Sequence, residues 1–335
     1  MKMLKNSRIN LEIFIISLLI FLPKWISSYY FFPNEELLIK TILDIKDVHY
    51  FLNVVSFSNL DLTPSFNEFI EPEKIITFPF FSIIFHSLLY KIIGYHSFII
   101  LEFLFIFFSI IIFYKILQEL KLNKTYSLFI LAIYYSLPFI LNILSIIELS
   151  QFSILQNLVS EFIGSRFPRP LVTNIFFLLG IYFLIKLQKE FMEQRPPLSI
   201  ISISFVMLLM VNSFFYFFLI QGLSTLILLL VYKGRNLITY ILNYRKIILK
   251  SLIISGIGLT IFLLQSSIGE KDYSNRMSVF NIDFSDKIFL IKYFFSSLFR
   301  IEIIGLVGIS ILLLFYMKKT SVQKINQINL FFIFI

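Results

Sequence analysis

The chain has 335 residues, 58% of them hydrophobic, with a mean hydropathy of +0.87 and a formal net charge of +9. That hydropathy excludes an ordinary soluble domain, and the absence of cysteine excludes disulfides, thiolate chemistry and cysteine-ligated metal. The positive charge carries no nucleic-acid signal until it is sorted by side of a membrane.

A hydrocarbon core of roughly 30 Å is crossed by about 20 apolar residues as a helix. Runs such as 127–147 are apolar on every face, whereas a barrel strand would alternate, so the expected fold class is all-α, a polytopic integral membrane helical bundle. The first run, 9–22, follows Lys2, Lys5 and Arg8 and leads into Pro23, Lys24 and Trp25 instead of a small-residue cleavage site, which makes it a retained anchor. Further spans are expected at 98–114, 126–147, 171–185, 251–268 and 303–317, after a first at 11–30. The charge-free stretch 198–232 would be about 50 Å long as one helix, so it divides into two shorter helices turning near Asn212 and Ser213. No internal repeat or Pro/Gly-rich linker divides the chain, so residues 1–335 form one membrane domain. The closing apolar run 328–335 is too short to span and reads as a helix cut short.

With the N terminus inside, the charges sort strongly. The inner segments hold Lys2, Lys5, Arg8, Lys115, Lys121, Lys124, Lys186, Lys189, Lys233, Arg245 and Lys246, with further Lys and Arg, against only Glu119, Glu190 and Glu193. The outer face is acidic, and its first loop, 32–77, carries eight carboxylates. The segment 78–93 is apolar enough to cross, but a full crossing would place Lys115, Lys121 and Lys124 outside. It is therefore either re-entrant or interfacial, or the charge rule fails there. The expected location is a bacterial cytoplasmic membrane, multi-pass, with the N terminus cytoplasmic.

Within the first loop, Pro33 and Asn34 precede Glu35 and Glu36, and Leu38, Ile42 and Ile45 follow at helical spacing. This describes a surface helix capped by Asn34. Carboxylates in a first helical turn also favour the helix dipole with no catalytic purpose, and Glu36 can pair with Lys40 at i,i+4. Asp44 and Asp47 share a helical face, with His49 and Tyr50 alongside. Such a pair can act as general base or contribute to a divalent-metal site, or simply face solvent.

Farther on, Arg166 and Arg169 stand just before Pro170, which suits the first position of the next helix. Arginine forks beside a helix N terminus make an anion site; snorkelling at the interface accounts for the same residues. His86 sits in an apolar run, where a hydrogen-bonded core histidine is commoner than a ligand. Glu102 and Lys91 lie near the ends of their runs and read as interfacial. The many Phe and Tyr residues are lipid-facing bulk and interface belt, not a stacking platform for nucleic acid.

The order of features resembles the N-terminal third of the GT-C superfamily of membrane glycosyltransferases. The matching residues are Glu35 and Glu36, then Asp44, Asp47, His49 and Tyr50, then the apolar segment led by Pro79 through His86 to Gly94. The chain departs from the usual pattern in having one proline there where two are common, and Asn-Glu-Glu where an Asp-containing pair is usual. In relatives the proline-led segment is counted as a span. The resemblance implies a GT-C-like bundle with surface helices in the first outer loop, and transfer of a sugar, with inversion, from a polyprenyl-phosphate donor to a glycan, lipid or protein acceptor. It implies a catalytic carboxylate among Glu36, Asp47, Glu35 and Asp44, and substrate contacts from Arg166, Arg169, His49, Tyr50 and His86. No cofactor is required by the residues, though a divalent metal fits the chemistry. A polysaccharide polymerase or ligase and a non-enzymatic lipid-glycan transporter or flippase are the alternatives; inverted repeats and midplane charges, which mark transporters, are not evident.

Overall fold

Every regular element in the computed structural model, which describes residues 2–37, 40, 48–61, 80–146, 167 and 170–268, is helical. In chain order these are α1 (Lys2–Phe31), α2 (Val48–Ser58), α3 (Phe80–Ile93), α4 (His96–Glu119), α5 (Lys124–Ile146), α6 (Thr173–Met192), α7 (Ser199–Val211), α8 (Phe215–Lys233), α9 (Leu237–Asn243) and α10 (Arg245–Ile268). Among the described residues, four stretches are long and apolar enough to cross a membrane: Leu11–Phe31, His96–Glu119, Phe215–Lys233 and Arg245–Leu264. Their outer faces are as apolar as their inner ones, with Leu19, Ile26, Leu223 and Leu252 all exposed. Such surfaces suit lipid contact rather than water.

The direction of each helix follows from its contacts. Phe14 of α1 meets Phe107 of α4 at 6.2 Å between ring centroids, Phe21 meets Phe103 at 5.4 Å, and Lys24 reaches Glu102 at 2.6 Å. Numbers rise along α1 as they fall along α4, so the two helices are antiparallel. The connection between them includes α2 and α3, of 11 and 14 residues. At 1.5 Å per residue α3 is about 21 Å long, short of a hydrocarbon core of about 30 Å. Together the reversal and the lengths favour the non-crossing reading of segment 78–93 over a full span. Gly94, at φ +59, makes the turn into α4, a backbone conformation that a side chain would strain.

Lysines mark the opposite end of the bundle. Lys124 pairs with Glu12 at 2.5 Å, Lys189 pairs with Glu119, and the Lys233 ammonium donates to the Phe191 carbonyl. The C-terminal ends of α4, α6 and α8 therefore lie with the N-terminal ends of α1 and α5. We refer to this as the lysine end, and to the other as the first-loop end.

The stretch 198–232 breaks where its length required. α7 ends at Val211, residues 212–214 turn, and α8 begins at Phe215. Asn212 is locked there by its Nδ2, which donates to the carbonyls of Leu208 and Gly258, each at 3.2 Å. Gly258 makes that contact feasible, since a Cβ at this position would lie 2.9 Å from the Leu208 Cα. Beside it α6 and α8 run parallel. The Phe177 and Phe217 rings stack at 4.5 Å, Gln221 Nε2 donates to the Gly180 carbonyl, and Gln188 Nε2 donates to the Tyr232 hydroxyl.

Candidate functional site

The described residues that the sequence singles out lie at the first-loop end, beginning with the last turns of α1. Phe21, Trp25 and Tyr29 follow one another at i,i+4 spacing on one face. The Lys24 ammonium lies 5.2 Å from the Trp25 ring centre, and the Lys40 ammonium 4.8 Å from that of Tyr29. Lys40 is buried, and its ammonium donates to the carbonyl oxygens of Pro33 at 3.3 Å and Glu35 at 2.6 Å. The sequence offers it Glu36 at i,i+4 as one possible partner; in the structure its ammonium turns back over the end of α1. This choice satisfies carbonyls of the turn and leaves the Glu35 and Glu36 side chains exposed.

One turn and a half deeper, Lys24 Nζ donates to Glu102 Oε2 at 2.6 Å, with the two side chains 13% and 5% exposed. This corrects the interfacial reading of Glu102. The residue sits near the start of α4, but α1 covers it, so its carboxylate is enclosed between two apolar helices and held by an ammonium from 78 residues away. An ion pair in such surroundings is expensive to desolvate, and in membrane helices it is a candidate functional group. Lys91, at the end of α3, is exposed as expected.

His86 is 1% exposed, between the rings of Phe167 at 4.2 Å, Phe105 at 5.4 Å and Phe98 at 5.5 Å. Burial pushes its pKa from 6.5 down to about 3, so the imidazole is neutral. It is a core residue as read from the sequence, but its Nδ1 has no hydrogen-bond partner. Phe167 also packs on Phe51 of α2 at 5.3 Å. Phe167 is thereby packed against both α2 and α3. Tyr50 is half-buried against the same core.

Asp44, Asp47, Arg166 and Arg169 lie outside the described residues, as do the side chain of His49, the span expected at 303–317 and the closing run 328–335. Of the sequence-derived site residues, then, Glu35, Glu36, Tyr50 and His86 are placed, all at the first-loop end. Among the described residues no three His, Asp or Glu side chains gather closely enough to hold a metal ion. Sequence reading passed over the Lys24–Glu102 pair; its one visible signal was two ionisable residues inside apolar runs.

The fold and these groups define a helical membrane-associated protein, an apolar bundle with ion pairs at both of its ends. No family model, curated protein or solved structure matches the chain.

Proposed function

We propose that the chain is a multi-pass membrane glycosyltransferase of GT-C type. On this reading it moves a sugar from a polyprenyl-phosphate donor to a glycan, lipid or protein acceptor at the bilayer face that bears the first loop. The observation that carries the reading is the company kept by Glu35 and Glu36. They are exposed carboxylates directly past α1, at the end of the bundle that also holds the Lys24–Glu102 pair and the α2–α3 hairpin. The reaction needs a base for the acceptor hydroxyl, cationic or amide donors for the departing phosphate, and an apolar surface for the carrier tail. In a single displacement the carboxylate takes the hydroxyl proton as its oxygen attacks the anomeric carbon. The bond to the phosphate oxygen breaks with its electron pair, releasing polyprenyl phosphate and inverting the centre. Glu36, Asp47, Glu35 or Asp44 supplies the base, Arg166 and Arg169 receive the phosphate, and a divalent metal held by the Asp44–Asp47 pair would assist the leaving group. The exposed leucine faces of α1 and α8 suit an isoprenoid chain.

The decisive experiment is sugar transfer by the purified chain in proteoliposomes, supplied with polyprenyl-phosphate sugars and a mixed acceptor pool. A chain that moves labelled lipid-linked glycan across the bilayer but transfers none would instead be a transporter or flippase, the reading favoured by the buried ion pair.

The same proposal puts the N terminus on the cytoplasmic side of a bacterial cytoplasmic membrane. Single cysteines at Ser65 and Ser165 should then both react with an impermeant thiol reagent in intact cells, since there is no native cysteine to interfere. Labelling of Ser65→Cys without Ser165→Cys would require segment 78–93 to cross. For the phosphate site, Arg169→Ala should weaken carrier binding more than Arg169→Lys, which keeps the charge and loses the fork. Unchanged affinity in the alanine variant would leave the arginines as interfacial anchors.

A further inference from the structure

The least satisfied place among the described residues is the junction where α3 meets the turn between α7 and α8. Five buried polar atoms have no hydrogen-bond partner there or one turn away: Ser82 Oγ, His86 Nδ1, Thr173 Oγ1, Asn212 Oδ1 and Ser213 Oγ. None of the five residues is more than 1% exposed. Their proximity follows from a single bond, in which the Phe81 N–H donates to the Asn212 carbonyl at 3.4 Å. Ser82 and Ser213 each stand one residue from its ends, and His86 follows Ser82 by one turn on the same face of α3. Thr173 opens α6 at the matching level, because Phe177 one turn on stacks against Phe217, whose ring meets Phe214 at 4.6 Å. The first turns of α6 and α8 therefore lie at one level, and α3 reaches the turn before α8 through the Phe81–Asn212 bond.

Buried polar atoms are normally paired, and each orphan costs about 1–3 kcal/mol. Several unmet groups near one turn, flanked by the half-buried rings of Phe80, Phe81 and Phe214, are groups that a polar ligand would satisfy. The donor and acceptor types then choose among ligands. Asn212 Nδ2 is committed to two carbonyls, so its Oδ1 can only accept. A phosphodiester, ionised at neutral pH, has no proton to give it. Serine and threonine hydroxyls both give and accept, as do the hydroxyls of a sugar.

We infer that this junction binds the hydroxyl groups of a neutral sugar. That the sugar is part of a lipid-linked donor rests on the glycosyltransferase reading; the binding chemistry does not. Ser82 and Ser213 are positioned for direct contact, Asn212 Oδ1 takes a sugar hydroxyl proton, and the phenylalanine rings cover the apolar C–H face.

The test uses the full chain in lipid nanodiscs, with saturation-transfer NMR on methyl glycosides of common pyranoses and furanoses. Wild type should give a saturable signal with at least one of them. The Ser82→Ala, Ser213→Ala double variant should weaken that binding by about fivefold or more for each neutral hydrogen bond removed. Its thermal midpoint should stay unchanged or rise, because no bond within the protein is lost. The site is overturned if no glycoside saturates, if the double variant binds equally well, or if inorganic phosphate displaces the glycoside. The two readings separate cleanly. Wild-type transfer rates in the double variant would remove this site and leave the enzyme, whereas glycoside binding that depends on the two serines, with no transfer by wild type, would keep the site and remove the enzyme.

Discussion

Glu102→Gln is expected to destabilise the folded chain by about 3–5 kcal/mol, because it strands the Lys24 ammonium in a place built for a pair. The two side chains are 5% and 13% exposed and meet at 2.6 Å between α1 and α4. At 5% exposure the Glu102 carboxylate cannot turn to water without parting the helices. Removing both charges together should therefore cost much less than removing one. The double variant Lys24→Met, Glu102→Leu is expected to recover wild-type stability or exceed it, since well-packed apolar residues of similar volume escape the desolvation penalty altogether. Unfolding of purified protein in mixed micelles, followed by urea titration, measures both. A Glu102→Gln protein as stable as wild type would mean that the pair is solvated and that α1 and α4 are held by their phenylalanines alone. The double variant has a second use: if it folds normally but fails in transfer or transport, the pair is retained for function and not for packing.

Which features could be read in advance depends on how far apart the interacting residues lie in the chain. The break near Asn212 and Ser213 was legible because it needs only a length argument, and the structure turns at 212–214. The helical class rests on local hydropathy and is likewise recovered, as are helices over 11–30, 98–114, 126–146, 173–185 and 251–268 among the described residues. Pairing across helices is another matter. Glu102 looked interfacial because distance to the end of its own run was the only information available, and the partner that encloses it is 78 residues away. The junction of Ser82 with Ser213 is invisible for the same reason, since serines in apolar helices ordinarily donate to a carbonyl one turn back, as Ser17, Ser87 and Ser204 do here. Lys40 failed more narrowly. An i,i+4 charge pair was one option, and the carbonyls freed at the end of α1 were a closer one.

The largest functional effect belongs to the carboxylates that follow α1. Glu36→Gln and Asp47→Asn are expected to lower turnover by roughly 10² or more at whichever position is the base, with little loss of folded protein. The reasoning turns on what each role demands. A base needs an oxygen that accepts a proton, which an amide of the same shape does not provide. A residue that merely complements a helix dipole or faces water needs only local polarity, and the amide keeps that. The exposed position of Glu36 makes its substitution mild for folding, so a fall in rate there would report chemistry. Glu35→Gln, at the other exposed carboxylate directly past α1, is read in the same way, because Glu35 is itself a candidate base. Sugar transfer in membranes at matched protein levels separates the cases. A drop in kcat at Glu36 or Asp47 with KM preserved would mark a transition-state role. Near-wild-type rates for amide variants at all four carboxylates, Glu35, Glu36, Asp44 and Asp47, would take the first loop out of the chemistry and shift the weight to a transporter that uses the Lys24–Glu102 pair.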